Sequence, residues 1–255
     1  MTEPMAGSDA YGIETTADRR GGRYVLSGSK VFVTNGPVAD IFIVYATVDR
    51  SKGPNGVSAF LVERGFSGLS FGENMRKMAL KTSPMCELFF DDCEVPGENR
   101  LGREGAGKSL FADSTTWERS CILASSVGAM QRILEECIRY TKTHRESGRP
   151  IGKNQIIASM IVGMKTRLET SRALLYEAGW LNSRGKSIYL EAALAELHIS
   201  DSLVRTAREA VQIFGGHGYL AEYGMERELW DAMASRIYSG TTEIQRLIIA
   251  SLMGL

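Results

Sequence analysis

The clearest chemical motif in this sequence is a glycine-containing run that ends in Lys108 and Ser109. The segment 102–109 fits GxxxxGK[ST], the loop whose backbone N–H groups and lysine bind the phosphates of ATP or GTP. Such a loop directly follows a buried parallel strand, whereas the polar, proline-containing segment 91–99 precedes it here. No later apolar strand ends in an Asp that could bind magnesium. The context therefore favours a loop between domains that leads into a helix.

Four other segments combine glycines with polar and aromatic residues. In chain order they read TEPMAGSD (2–9), KVFVTNG (30–36), QIFGGHGY (212–219) and YSGTTEIQR (238–246). Singly, each has an ordinary structural explanation, because an aromatic residue in a strand is usually core, Thr-Asn-Gly forms turns and Gly-Gly ends helices. Together, in this order and over essentially the whole chain, they resemble the conserved flavoprotein segments of the acyl-CoA dehydrogenase family.

The resemblance implies FAD as the cofactor. A flavin ring needs an apolar or aromatic wall and hydrogen bonds to its N5 and carbonyl atoms. By resemblance, Phe32 would form that wall and Thr34 would lie near N5. Met1 and Thr2 would supply backbone and hydroxyl contacts to the ring.

The other end of FAD is implied to bind the C-terminal half of the chain. Gln212 and the close backbone at Gly215 and Gly216 would receive the adenine and diphosphate of a neighbouring subunit's FAD. Thr241 and Glu243 would lie near the diphosphate and adenosine.

The implied reaction is α,β-dehydrogenation of an acyl thioester, carried on CoA or on an acyl-carrier protein. A carboxylate removes the α-proton, a hydride leaves the β-carbon for the flavin, and hydrogen bonds to the thioester oxygen stabilise the enolate. Many family members place the base between the Tyr and Gly of the last segment, where this chain has Ser239. Isovaleryl- and long-chain acyl-CoA dehydrogenases instead carry it on a helix, directly before an arginine, which corresponds to Glu118 and Arg119.

Glu118 is thus implied as the base, and burial beside an apolar acyl chain would raise the pKa of a carboxylate toward the working range. Arg119 would position it, the backbone N–H of Ser239 would donate to the thioester oxygen, and Ser8 and Tyr238 would contact the substrate. From the residues alone, the favoured interpretation of Glu118 is a solvated carboxylate near a helix start, which the helix dipole stabilises.

The elements that must position these residues change character along the chain. Short apolar runs separated by Gly and Pro predict strands over 24–26, 31–33, 41–45, 57–62 and 88–90. After Gly107, helical spacing of apolar residues predicts long helices around Leu123–Ile138, Ile157–Leu168 and Leu190–Val211, and shorter ones over 226–234 and after Gly240. We therefore expect an α+β fold. An antiparallel β-barrel or sandwich domain (1–103) would precede an antiparallel four-helix-type bundle (104–255).

Composition narrows the class of partner. The chain has 255 residues, of which 44% are hydrophobic, and 30 basic residues balance 30 acidic ones. We therefore expect a globular protein that binds neither nucleic acid nor a membrane. The four cysteines form no CxxC pair and no ligand spacing with histidine, which favours reduced thiols, no metal site and a cytoplasmic location.

The resemblance has three further implications. In the family a helical domain precedes the first flavin-contacting segment, so we expect this chain to lack that domain, to bind FAD poorly alone and to expose apolar bundle surface. A homo-oligomer, dimer or tetramer, would share FAD sites, and an electron-transfer flavoprotein would accept the electrons. Two alternatives stay open: an oxygen-using oxidase or monooxygenase of the same fold, and a degenerate, non-catalytic fragment.

Overall fold

The computed structural model describes residues 1–255, which divide into two compact units, Met1–Ser114 and Thr115–Leu255. The first unit is built on a seven-stranded sheet. Its strands are β1 (Thr16–Arg20), β2 (Arg23–Thr34), β3 (Ile41–Thr47), β4 (Val57–Glu63), β5 (Leu69–Phe71), β6 (Met85–Pro96) and β7 (Arg100–Leu101).

The sheet is mainly antiparallel. Its strand order is β5-β6-β2-β1-β3-β4-β7, and only the β1–β3 pair is parallel, through Thr16 and Thr47. The pairing runs from β5 to β7 without returning, so the predicted closed barrel is not confirmed. The coarser prediction of an α+β chain with a mainly antiparallel sheet is confirmed.

Strand β2 turns back from β1 at Gly21 and Gly22, as the sequence predicts. Its register with β6 shifts between Lys30 and Val33, which is the mark of a β-bulge. Within this bulge Phe32 adopts a backbone φ of 57°, a conformation that residues other than Gly rarely take. The bulge therefore interrupts the alternation of inward and outward side chains along β2.

Five helices follow the sheet. They are α1 (Gly107–Thr143), α2 (Gln155–Ser183), α3 (Tyr189–Phe214), α4 (Met225–Ala234) and α5 (Thr242–Leu252), with a short hairpin of β8 (Arg145–Glu146) and β9 (Arg149–Pro150) between α1 and α2. Gly215 ends α3 with a φ of 58°, as the Gly-Gly signal predicts. None of these helices combines the length and apolar composition that crossing a bilayer requires.

The bundle core confirms the apolar stripe of α1 and corrects that of α3. Leu123 and Met130 of α1 are fully buried. On α3, however, Leu194 is 38% exposed, and the buried face carries small residues such as Ala195 and Ala207. Small side chains allow neighbouring helices to approach closely. Because they are only weakly hydrophobic, the spacing of the leucines did not identify the buried face of α3.

Candidate active site

Glu118 and Ser239, which lie on different elements of the second unit, meet directly. Glu118 is on α1, and Ser239 is in the turn between α4 and α5. The Ser239 hydroxyl donates a hydrogen bond of 2.6 Å to Glu118 Oε1. A donor at this distance from a carboxylate makes a strong, charge-assisted bond. The fold thus brings two of the sequence-predicted site residues together.

The backbone at Ser239 is held in an unusual conformation. Its φ is 56°, and its carbonyl oxygen accepts hydrogen bonds from Arg119 Nε at 2.9 Å and Gln245 Nε2 at 3.1 Å. These donors fix a residue that would otherwise avoid the left-handed region. The Ser239 N–H has no hydrogen-bond partner within the chain. The backbone of Ser239 is therefore fixed at its carbonyl oxygen and open at its N–H.

Gly240 completes this turn, and a larger residue would disturb it. A Cβ at Gly240 would lie 3.0 Å from Gln245 Nε2 and 3.1 Å from Arg119 Nη2, and the φ of Gly240 is 94°. Both contacts are made by the side chains that hold Ser239. Glycine is thus required by backbone conformation and by space.

The chain's own residues do not bury Glu118. Glu118 is exposed, as is Trp117 beside it. The sequence placed the apolar stripe of α1 after Glu118, and the side chains at the stripe pack into the bundle while Glu118 lies outside it. The geometry supports its contact with Ser239 but supplies no apolar enclosure from this chain's own residues.

A buried carboxyl lies close by instead, on α3. Glu196 is only 1% exposed, and neither of its carboxyl oxygens has a hydrogen-bond partner. Its pKa is raised to about 8, chiefly by burial, while the charge of Arg119 opposes the rise and the charge of Glu118 adds to it. The sequence did not single out Glu196, although its place beside the small residues Ala192, Ala193 and Ala195 was the available signal.

Tyr238 belongs to the same cluster. It is partly buried, and burial raises its pKa, with the charge of Glu196 as the next cause. A side-chain hydrogen bond with Ser126 of α1 opposes this rise, and the charge of Glu118 adds to it. Tyr238 therefore lies within the electrostatic reach of both carboxyls.

In the first unit, a buried ion pair attaches the N-terminal segment to β2. Lys30 Nζ lies 2.6 Å from Glu3 Oε1, and both side chains are buried. Lys30 also donates to the Met1 carbonyl at 3.2 Å, while the Val31 N–H donates to the Thr2 carbonyl at 3.0 Å. These bonds hold Met1 and Thr2 beside the β2 bulge.

Glu3 is ionised despite its burial. Burial alone would raise its pKa, but hydrogen bonds from Lys30, Thr15 and the Glu14 N–H together hold the pKa below its usual value. The pKa of Lys30 is lowered, chiefly by burial and against the pull of Glu3. We favour the charged pair because Glu3 accepts three hydrogen bonds, which stabilise a carboxylate.

Beside this pair, the bulge presents Phe32 and Thr34 outward. Phe32 is 61% exposed, and Thr34 is exposed as well. Phe32 is therefore not a core residue, and its ring is available to a ligand. Ser8 is exposed at the end of the N-terminal segment.

A cavity of about 480 Å³ lies at the C-terminal ends of α1 and α3. The Tyr140 ring stacks on Phe214 at 4.1 Å and on His144 at 4.8 Å, and its hydroxyl lies 2.8 Å from His217 Nδ1. The rest of the lining is Arg145, Glu146, Ile151, Asn154, Ile157, Ile213, Gly215 and Gly216. Gly215 and Gly216 line the cavity, whereas Gln212 is exposed and does not line it.

Thr241 and Glu243 form the N-terminus of α5. The Thr241 side chain caps the helix by accepting from the Ile244 N–H at 3.4 Å. Hydrogen bonds to Glu243 from its own N–H, and then from Thr241, lower the pKa of the Glu243 carboxyl. Both side chains therefore hydrogen-bond at the start of α5. The free N–H groups of a helix N-terminus favour anions.

The segment 102–109 does not have the context of a nucleotide-binding loop. The strand before it, β7, has two residues and pairs antiparallel with β4. A parallel strand that feeds a phosphate loop is therefore missing, and the interpretation as a connecting loop before α1 is supported.

Comparison with known proteins agrees with the sequence resemblance. Residues 1–93 match the model of the acyl-CoA dehydrogenase middle domain, and residues 105–254 that of the C-terminal domain. The L-prolyl-[peptidyl-carrier protein] dehydrogenase of Serratia sp. (strain ATCC 39006) is 42% identical over 254 residues, which cover 100% of this chain and 66% of that protein. The chain thus spans about two thirds of this relative's length.

Two solved structures are similar over the whole chain. The crystal structure of the prolyl acyl carrier protein oxidase AnaB matches 100% of this chain and 67% of its own, with a TM-score of 0.98 and 46% identity. The structure of PigA with FAD and proline matches 100% and 66%, with a TM-score of 0.98 and 42% identity. The chain belongs to the acyl-CoA dehydrogenase family.

Proposed function

We propose that this chain carries out FAD-dependent α,β-dehydrogenation of an acyl thioester, with Glu118 as the base that removes the α-proton. The observation that carries the proposal is the 2.6 Å hydrogen bond from Ser239 to Glu118, formed beside an N–H with no partner. A base and an open N–H donor in one place are what removal of a proton next to a thioester carbonyl requires.

Each member of this group has its own part in the proposal. Glu118 accepts the α-proton, and Ser239 orients its carboxylate through the hydroxyl. The Ser239 N–H donates to the thioester oxygen as negative charge develops on it. Arg119 positions this peptide by its bond to the Ser239 carbonyl. Tyr238 and Ser8 are proposed to contact the substrate.

FAD is the proposed cofactor, and it would supply the hydride-accepting chemistry when bound. The first unit fits the ring, because Phe32 offers an exposed aromatic face beside Thr34, with Met1 and Thr2 held against the same bulge. In this proposal Phe32 forms the ring's wall and Thr34 donates near N5.

The second unit fits the adenosine and diphosphate of a neighbouring subunit's FAD. The cavity of about 480 Å³ is within the range of small-molecule sites, and a Cβ at Gly215 or Gly216 would meet no atom within 4 Å. The aromatic lining of the cavity suits an adenine, and the imidazoles and Arg145 suit phosphates. Gln212, Thr241 and Glu243 are proposed to bind the same half of the cofactor from outside the cavity.

The thiol carrier is proposed to be CoA or an acyl-carrier protein. The family is named for CoA, whereas the Serratia relative is a peptidyl-carrier-protein enzyme. A panel with one acyl group on both carriers decides between them, because kcat/KM reports the carrier's binding in the transition state.

The electron acceptor is proposed to be an electron-transfer flavoprotein. An oxygen-using enzyme is the second candidate, because the similar AnaB is described as an oxidase. The two differ in one measurement. Rapid re-oxidation of the reduced flavin by air, with no flavoprotein present, would favour the oxidase.

A homo-oligomer, dimer or tetramer, is the proposed assembly. Large apolar side chains of α2 are more than half exposed, namely Ile156, Val162, Tyr176 and Trp180. Apolar surface of this kind on one helix is typical of a protein–protein contact. Light scattering after gel filtration measures the mass directly, and a monomer at micromolar concentration would contradict the proposal.

The test of the whole proposal is anaerobic flavin bleaching by short, branched and long acyl thioesters. Bleaching by at least one thioester is expected in the FAD-loaded wild type and not in Glu118→Gln. Absence of bleaching with every thioester, in protein that binds FAD, would instead support a degenerate, non-catalytic fragment. Equal bleaching in both proteins would overturn the assignment of the base alone.

A further inference from the structure

Glu196 is the one carboxyl of the second unit that is fully buried with both oxygens unpartnered. A buried polar group without a hydrogen bond costs free energy, and a buried charge costs more. An alanine, like its neighbours Ala192, Ala193 and Ala195, would avoid that cost. The position is therefore costly for stability and needs a reason.

The groups around Glu196 are those of the proposed active site. The charges that act on it belong to Glu118 and Arg119 of α1, and its own charge acts on Tyr238. The charge of Arg119 lowers the pKa of Glu196, but the Arg119 Nε donates to the Ser239 carbonyl and neither Glu196 oxygen accepts a hydrogen bond. The pair is thus a cation and a carboxyl that are close but not bonded.

This arrangement has two charge states. When Glu196 is protonated, Arg119 is left to hold the Ser239 carbonyl and so to fix the Ser239 N–H. When Glu196 is ionised, its unpartnered oxygens compete with that carbonyl for the Arg119 guanidinium. The burial of Glu196 raises its pKa to about 8, so the first state holds at neutral pH.

We propose that Glu196 is a positioning residue, which acts through Arg119 on the Ser239 peptide and on Glu118. The inference rests on the proposed function. It explains why a carboxyl is kept at a buried position of α3, and it assigns a role to a residue that touches neither substrate nor cofactor. The only chemical event it needs is loss of the Glu196 proton to solvent.

The activity test is the pH profile of kcat/KM in the FAD-loaded protein. Above about pH 8 the wild type should lose about fivefold, the equivalent of one hydrogen bond to the Ser239 carbonyl. In Glu196→Gln this alkaline loss should disappear, because the amide cannot ionise, and Glu196→Asp should restore it. Glu226→Gln is the matched control, since Glu226 also has a buried, unpartnered oxygen, and it should keep the wild-type profile.

A second measurement needs no catalysis, so it separates this inference from the proposed function. In protein labelled with ¹⁵N-arginine, the Arg119 Nε–H resonance, identified by its absence in Arg119→Lys, should shift through about pH 8 in the wild type and not in Glu196→Gln. A resonance that ignores pH in the wild type, or shifts alike in both, overturns the inference. An alkaline loss of kcat/KM that persists in Glu196→Gln does the same. Failure of every thioester to bleach the flavin overturns the proposed function. The pH dependence of the Arg119 resonance then tests the role of Glu196 by itself.

Discussion

The hydroxyl of Ser239 lies 2.6 Å from Glu118 Oε1, so a residue that could not itself be the base holds the one that we propose. The bond links residues 121 positions apart, on α1 and in the turn before α5. The family resemblance implies that many members carry the base at the position of Ser239. In this chain the side chain at that position orients a carboxylate that comes from another helix.

Ser239→Ala should therefore weaken catalysis without removing it. The variant loses the hydroxyl but keeps the backbone N–H, and we expect kcat/KM to fall about fivefold, the equivalent of about 1 kcal/mol. Steady-state kinetics with the best thioester measure the effect. Ser125→Ala is the control, because its hydroxyl bonds the Ile122 carbonyl on an exposed face of α1. A loss equal in both variants would mean that the hydrogen bond to Glu118 has no special part.

Glu118→Gln should remove the base while leaving the fold and cofactor binding intact. Glu118 is exposed, so an amide of the same shape fits its place, and general-base catalysis typically contributes about 10²- to 10⁴-fold. We expect kcat to fall within that range at unchanged FAD affinity, which stopped-flow bleaching and flavin fluorescence measure. Glu135→Gln, on an exposed position of the same helix, should retain wild-type rates. A fall of less than about tenfold in kcat would move the role of base elsewhere.

The sequence predicted the elements well because most of their signals are local. The glycines at residues 21–22 and 215–216 end elements where expected, and the stripe of α1 is buried as spaced. The predicted closed barrel is not confirmed, because closure depends on pairing between strand edges rather than on any strand's own pattern. The division into domains 1–103 and 104–255 remains a prediction. Along the chain, the boundary between the two compact units falls between Ser114 and Thr115.

The site was predicted in its parts and missed in its electrostatics. Glu118 and Ser239 were named from resemblance, and their contact requires the fold. The ion pair between Glu3 and Lys30 lies within two of the quoted segments, yet neither residue was singled out, since charged side chains are usually exposed. Glu196 was missed because its burial comes from the small residues of α3, which carry no strong periodic signal.

The Glu3–Lys30 pair should be a main contributor to the stability of the first unit. Glu3→Gln or Lys30→Met leaves a buried charge unpaired, and we expect a loss of about 3–5 kcal/mol in the free energy of unfolding. Glu94→Gln breaks the exposed pair with Arg23 and should cost less than about 1 kcal/mol. Urea unfolding of the three variants compares them, and similar losses in all would contradict this role.

The same pair gives an acid dependence with a definite sign. The pKa of Glu3 is lowered in the folded state, so its contribution is fully present above the unfolded pKa, for which the usual value is 4.5. The contribution is lost as the pH falls below that value and through the folded pKa. Thermal unfolding of the wild type should show this acid loss, and Glu3→Gln should show less of it. If both proteins lost stability identically at acid pH, the loss would have to come from carboxyls other than Glu3.

The paired glycines after α3 separate a structural role from a role in binding FAD. Gly215 has a φ of 58°, so Gly215→Ala should cost about 1–2 kcal/mol of stability through backbone strain. Gly216 has no such constraint, and a Cβ there meets no atom within 4 Å, so Gly216→Ala should fold normally. If the cavity binds FAD, Gly216→Ala should nevertheless lower its affinity, which equilibrium titration measures. Unchanged affinity in Gly216→Ala would place the cofactor away from this backbone.

Glu196 should make the second unit less stable as the pH rises. Its pKa is raised from 4.5 to about 8 on folding, so the folded state binds the proton more tightly than the unfolded state. The stabilisation from this proton is complete below pH 4.5 and is lost as the pH rises to about 8, by up to about 1.4 kcal/mol for each pH unit.

Glu196→Gln removes this dependence because the amide stays neutral. The difference in free energy of unfolding between variant and wild type should therefore grow in favour of the variant from pH 4.5 to about 8, and then stay constant. Chemical denaturation at a series of pH values measures it. A difference that does not change with pH would mean that folding leaves the pKa of Glu196 at its usual value of 4.5, so that the carboxyl is ionised at neutral pH in the folded protein. Its burial would then have to be balanced by Arg119, and the two charge states on which the positioning role depends would not exist.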